Sequence, residues 1–168
     1  MKKRGVGMFS VGQLVLYGTN GVCRVDEITE KHIGNVKMEY YVLKPVTSAA
    51  STLYVPTSNE QLVGKMRGVL TRDEIKEVLS NKPEAGEWIE SKQERTDFFK
   101  SVVSNGDCAA LIGMIRQISF HRDRQLADGK RLHLSDERFL KEAEKMICEE
   151  FSMVLGIDRD KVIESVLA

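Results

Sequence analysis

The stretch Phe9-Ser10-Val11-Gly12-Gln13-Leu14-Val15-Leu16-Tyr17-Gly18-Thr19-Asn20-Gly21-Val22-Cys23-Arg24-Val25-Asp26-Glu27-Ile28 decides the fold of the N-terminal half. Apolar and polar side chains alternate on both sides of Gly18-Thr19-Asn20-Gly21, a turn cluster that ends in Asn-Gly. A period of two sends successive side chains to opposite faces of a strand, and Asn-Gly tolerates the positive φ of a tight hairpin. Working outward, Gly34-Asn35 marks another turn. Met38-Glu39-Tyr40-Tyr41-Val42-Leu43-Lys44-Pro45 is β-rich and ends at a proline, as does the short run Ser51-Thr52-Leu53-Tyr54-Val55-Pro56. Proline cannot donate to a sheet ladder, so it ends strands or sits on edges. Four or five short strands joined by tight turns predict a small antiparallel β-barrel.

From about Gly64 the period becomes helical. Thr71-Arg72-Asp73-Glu74 has the form of a capping box opening a helix that Asn81-Lys82-Pro83 breaks. A second helix is expected over 84–104, with Trp88 in its first turns. Asn105-Gly106-Asp107 then reads as a stop followed by a cap. Leu111, Ile112, Ile115 and Ile118 recur at helical spacing up to Asp128-Gly129. Ser135 is expected to cap a fourth helix carrying Phe139, Leu140, Ala143, Met146, Ile147, Phe151 and Leu155, stopped by Gly156. Asp158 caps a short fifth one. The fold class is therefore α+β in two domains, 1–66 antiparallel β and 67–168 a compact bundle of about five helices.

The 168 residues hold 25 basic and 25 acidic side chains. Zero net charge excludes a strong global attraction to nucleic acid and leaves only local basic patches. The division is uneven: eight basic against five acidic residues precede Met66, and seventeen against twenty follow. Cys23, Cys108 and Cys148 are odd in number, far apart and lack a Cys-x-x-Cys spacing, which argues for free thiols in a reducing cytoplasm rather than disulfides or zinc. No apolar run reaches the length of a membrane span. Met1-Lys2-Lys3-Arg4 is basic, but no apolar segment follows before Gln13, so a signal peptide is not expected.

Catalytic patterns are missing as well. His32, His121 and His133 have no ligand spacing and read as solvated histidines. There is no nucleophile elbow, Walker A loop or His-Glu-x-x-His. Gly5-Val6-Gly7 precedes the first strand instead of following it, so it is not a dinucleotide loop. A binding protein without catalysis or cofactor is the expectation.

Three features remain. Trp88 is the sole tryptophan, set among Glu87, Glu90, Lys92 and Arg95. It reads either as a core anchor or as an exposed apolar wedge beside phosphate-binding cations; helical spacing would place Trp88, Lys92 and Arg95 on one face. Arg122, Arg124, Lys130 and Arg131 cluster around a helix end, where they compensate the helix dipole or contact phosphates. The strand Leu53-Tyr54-Val55-Pro56, with Lys31 as a neighbouring decoration, reads either as an edge open to a partner strand or as one covered within the domain.

Phe9-x-Val11-Gly12-x-x-Val15-x-Tyr17, Gly21, Glu39-Tyr40-Tyr41-Val42-Leu43, Val55-Pro56 and Gly64, in that order, resemble the CarD/CdnL family of bacterial transcription regulators. The same segment resembles the RNA-polymerase-interacting domain of the transcription-repair coupling factor, without room for that factor's motor. The resemblance implies a Tudor-like barrel that docks on the RNA polymerase β subunit. It also implies a helical domain that contacts promoter DNA at the upstream edge of the bubble and stabilises the open complex. It assigns Trp88 as a minor-groove wedge, with Lys92, Arg95, Arg122, Arg124, Lys130 and Arg131 as DNA contacts. Lys31, Leu53, Tyr54, Val55 and Pro56 become the polymerase contacts; Tyr54 stands where some family members carry arginine. The implied protein is a monomer that binds free DNA weakly and gains from its polymerase tether. The alternative is a polymerase-docking adaptor whose helical domain recruits a protein, with Trp88 in its core.

Overall fold

A computed structural model describes residues 9–48 and 50–168. Gly5-Val6-Gly7 and the order of residues 1–7 lie outside the described residues. The chain divides into two units, with the break between Val69 and Leu70.

The N-terminal unit is a five-stranded antiparallel sheet of β1 (Leu14–Tyr17), β2 (Val22–Ile33), β3 (Val36–Pro45), β4 (Leu53–Pro56) and β5 (Met66–Gly68). Its order is β4-β3-β2-β1-β5. The turn after β1 is a single 3-10 turn, Gly18–Asn20, closed by Gly21 at φ +75°, a conformation that favours glycine. Gly34, at φ +63°, closes the β2–β3 hairpin. That hairpin is longer than the alternation predicted, with pairing from Cys23↔Pro45 to Ile33↔Val36 and a bulge between Val25 and Glu27. A bulge bends the strand and increases its twist.

The sheet is open where a barrel was expected. Among the described residues β4 pairs only with β3, and β5 only with β1. Edge strands of four and three residues offer little ladder with which to close a ring. β5 runs through Gly68, so Arg67 and Gly68 belong to the sheet and not to the helical half. Val15, Cys23, Val25, Tyr41, Leu43, Val55, Val63 and Met66 form the core of this unit, with Phe9, Tyr17, Leu53 and Leu62 against it. A one-turn helix, α1 (Glu60–Val63), delivers Val63 to that core.

The C-terminal unit holds five helices: α2 (Arg72–Ser80), α3 (Lys92–Asn105), α4 (Cys108–Ala127), α5 (Leu134–Leu155) and α6 (Arg159–Leu167). Thr71 and Glu74 form the expected capping box at α2, and Asp107 accepts from Ala110 N–H to cap α4. Gly156, at φ +67°, stops α5. Leu111, Ile112, Ile115 and Ile118 of α4 pack with Phe99, Leu140, Met146, Ile147 and Phe151 as the buried core. Burying each such side chain contributes on the order of 1.5–3 kcal/mol.

Two expected boundaries differ. The second helix begins at Lys92 instead of residue 84, because Pro83 and Gly86 disfavour helix and Ser91 is the true cap, accepting from Glu94 N–H. Trp88 therefore lies in an irregular segment, 82–91, ahead of the helix. At α5 the N-cap position falls on His133, and Ser135 sits inside the first turn.

Candidate functional site

The β4 edge is set by the register of the sheet. Thr57 N–H donates to Glu39 O at 3.0 Å, which fixes the phase of the β3–β4 ladder. Bonded pairs alternate in an antiparallel ladder, so the backbone N–H and C=O of Tyr54 point away from β3. No further strand of the sheet lies beyond β4 among the described residues. The side chains alternate too. Val55 is fully buried and Leu53 packs on the core, while Tyr54 stands outward at 48% exposure.

Lys31 and Tyr54 meet across β3. Lys31 Nζ lies 3.9 Å from the Tyr54 ring centroid, and Tyr40 packs edge-on against the same ring at 6.2 Å. The cation and the two aromatics make one small outward patch beside the edge. Of the contacts the resemblance implied, Lys31 and Tyr54 thus offer side chains. Val55 does not, because its side chain faces the core, and the backbone groups of Leu53 and Val55 point toward β3.

In the helical unit the segment 82–91 runs along one stripe of α4. A Cβ on Gly113 would meet Pro83 Cγ at 3.3 Å, so the absent side chain makes room for the proline. One turn on, Gln117 Nε2 donates to Glu87 O at 2.6 Å. Another turn on, the His121 imidazole stacks on Trp88, with centroids 3.7 Å apart and planes 2° from parallel. Residues 113, 117 and 121 are spaced by four and share a helix face.

Arg95 secures the far side of the segment. It is 3% exposed. Its Nε and Nη2 donate to the two Asp136 oxygens at 3.0 and 3.1 Å, and its Nη1 donates to Ile89 O at 2.9 Å and Glu90 O at 3.3 Å. Its guanidinium also lies 4.8 Å from the Trp88 ring. A bidentate pair this buried holds its charge by partnership, not by solvent. Arg95 is thus a structural arginine: Asp136 and two backbone carbonyls engage its Nε, Nη1 and Nη2, and its burial sets it apart from the exposed cations of the cleft.

Trp88, Glu90, Lys92, Arg131, His133 and Gln125 line a cleft of about 220 Å3 floored by the Arg95–Asp136 pair and His121. The structure therefore brings Lys92 and Arg131 to Trp88. Arg124 is exposed one turn from His121, and Lys130 is exposed beside Arg131 in the α4–α5 connection. Arg122 turns instead to Asp123, at 3.4 Å. Trp88 is half-buried, neither fully in the core nor free. It also contacts the core residue Phe99 at 6.2 Å between centroids.

His121 was not expected here; it read as a solvated histidine. Burial and the neighbouring Arg124 push its pKa below the ordinary 6.5, with Arg95 adding to this and Glu90 and Asp136 opposing it. The imidazole is therefore neutral at pH 7. The trace in the sequence is the Gly113-x-x-x-Gln117-x-x-x-His121 spacing, two polar groups on one stripe of α4. Among the described residues no group of His, Cys, Asp and Glu is placed to hold a metal ion, and no helix is long and apolar enough to cross a membrane.

One family model, described as the CarD-like/TRCF RID domain, matches residues 9–70. The match spans the open sheet with its β4 edge and stops where the helical unit starts. Over the matched residues the N-terminal unit is therefore a CarD-like/TRCF RID domain.

Proposed function

We propose that this protein docks on the β subunit of bacterial RNA polymerase through the β4 edge and the Lys31–Tyr54 patch. We further propose that its helical unit contacts promoter DNA at the upstream edge of the bubble and stabilises the open complex, without catalysis. An RID domain is a polymerase-interacting domain, which supports the first half. A strand edge with outward N–H and C=O groups suits main-chain pairing, and the flanking Tyr54 supplies selectivity.

The observation that carries the second half is the cleft. A half-buried indole lies beside the exposed cations Lys92 and Arg131, with Arg124 and Lys130 nearby. Cations on phosphates give register without sequence choice, and a planar apolar edge senses a distorted groove. Glu90 and the neutral Arg95–Asp136 pair keep the local positive charge small. Binding of free DNA is accordingly weak, and the polymerase tether supplies the effective concentration. A protein that binds melted promoter better than closed promoter shifts that equilibrium by the difference in affinity. A preference of about 1.4 kcal/mol is worth roughly tenfold in a small open population.

The contact of Trp88 with Phe99, and the exposure of Leu126 (56%) and Leu134 (75%) at the ends of the α4–α5 connection, favour a second reading, the protein-recruiting adaptor. A footprint of the polymerase–promoter complex separates the two. Added protection at the upstream edge of the bubble supports DNA contact; an unchanged footprint with polymerase bound leaves the adaptor.

A further inference from the structure

We propose that His121 is the positioning residue for Trp88: its imidazole holds the indole plane fixed with one edge presented, and this order makes Trp88 effective against DNA. The step deepens the DNA-contact reading above and rests on it.

The segment 82–91 forms neither helix nor strand, yet its backbone is pinned at three carbonyls. Gln117 holds Glu87 O, and Arg95 holds Ile89 O and Glu90 O. Arg95, Gln117 and Asp136 are all buried polar residues, a placement that is costly unless every group is partnered. Their joint effect is to fix the Cα of Trp88 from both sides. Two side-chain torsions remain, and backbone bonds cannot restrain them.

Ring contacts must do that. Phe99 touches the indole at a tilt of 57°, and Arg95 is held away by Asp136, with its carbon 4.8 Å from the ring. Among the described residues only His121 lies parallel to the indole. A parallel stack constrains the orientation of the plane, so it fixes both torsions together. His121 is half-buried and lies outside the fully buried core that holds Phe99, so its aromatic face can be removed while the helical core stays.

Charged groups facing the imidazole come from every neighbouring element: Arg124 on α4, Arg95 on α3, Asp136 on α5 and Glu90 on the segment itself. Lys92, Arg131 and His133 line the same cleft. With the imidazole neutral at pH 7, the contact is a ring-on-ring stack and not a cation–π contact. An aromatic ring of similar size therefore substitutes for it.

Trp88 is the sole tryptophan, so emission excited beyond the tyrosine absorption band reports this ring alone. The native chain, His121→Ala, His121→Phe and Trp88→Ala are compared by time-resolved fluorescence anisotropy (the Trp88→Ala chain as the blank) and by open-complex lifetime with RNA polymerase. His121→Ala is expected to show faster local motion of the indole, with helix content retained. If the ordered fraction falls to about a tenth, the concentration for half-maximal open-complex stabilisation rises about tenfold. His121→Phe is expected to restore both. If His121→Ala folds poorly, His121→Leu takes its place, because leucine fills the volume without an aromatic face.

Unchanged indole motion in the Ala or Leu variant overturns the proposal. So does faster motion with unchanged half-maximal concentration while Trp88→Ala abolishes the effect. If Trp88→Ala leaves the lifetime intact, the DNA-contact reading fails, and with it the claim that order in the indole matters for DNA; the anisotropy alone then decides whether His121 positions the ring.

Discussion

The indole of Trp88 lies parallel to the imidazole of His121, with ring centroids 3.7 Å apart and planes 2° from coincidence. This stack joins the irregular segment 82–91 to the C-terminal half of α4 and sets the indole against a helix. A wedge on a loose loop would lose conformational freedom at each binding event, on the order of 0.5–1.5 kcal/mol per immobilised side chain. One held by a stack has lost most of it in advance.

The Arg95–Asp136 pair ties α3 to α5 beneath that cleft, with side-chain exposures of 3% and 1%. Removing one partner strands the other as a buried charge. Arg95→Met is expected to destabilise the helical unit by about 3–5 kcal/mol, measured by denaturant unfolding. The double variant Arg95→Met/Asp136→Leu should recover a large part of that loss, since no charge is left unpaired. A loss below about 1 kcal/mol for Arg95→Met would return Arg95 to the set of surface cations.

Lys31 and Tyr54 are exposed, so changes there should spare the fold. Tyr54→Ala is expected to weaken polymerase binding at least tenfold in a titration by surface plasmon resonance, as for a central interface aromatic. Lys31→Ala should cost less, since an exposed cation–π contact is worth about 0.5–1 kcal/mol. Melting temperatures of both variants should stay near that of the native chain. Equal polymerase affinity in all three would remove this patch from the interface.

The pH dependence of stability has a defined sign. The folded-state pKa of His121 lies below 6.5, so the unfolded chain takes up its proton first as pH falls. The stability His121 contributes is present above about pH 6.5 and is lost as pH drops through its folded pKa. Denaturant midpoints at pH 7.5 and 5.5 are expected to fall more for the native chain than for His121→Phe, which has no proton to bind. Equal falls would show that His121 is not held neutral by its surroundings.

Free-DNA binding should be weak, with a limited dependence on salt. The exposed cations near the cleft are Lys92, Arg124, Lys130 and Arg131. Each phosphate neutralised contributes about −0.9 to the slope of log K against log salt, so four set a limit near −3.6. Titration of a labelled duplex at several salt concentrations measures it. A markedly steeper slope would point to a basic surface beyond these four residues.

Local signals in the sequence foretold local structure. Thr71 and Glu74, Asp107, and Gly156 act within one turn of their own positions, and the helix ends they mark stand where the pattern placed them. Ser91 is a cap of the same kind with Glu94 three residues on, but the apolar Trp88 and Ile89 extended the apparent helical period past it. The failure to close the sheet was not legible, because ring closure depends on pairing between strands remote in sequence. The same holds for Arg95: its spacing from Trp88 suggested an exposed face, and only Asp136, 41 residues away, shows that it is buried. His121 was hidden for that reason too, since its partner lies 33 residues earlier along the chain.

Stabilisation of the open promoter complex is read from its lifetime with RNA polymerase, after a competitor chase, with this protein at saturating polymerase occupancy. The lifetime is expected to lengthen, and Trp88→Ala to abolish the gain while polymerase affinity and helix content are kept. An unchanged lifetime with the native chain bound to polymerase would contradict that stabilisation.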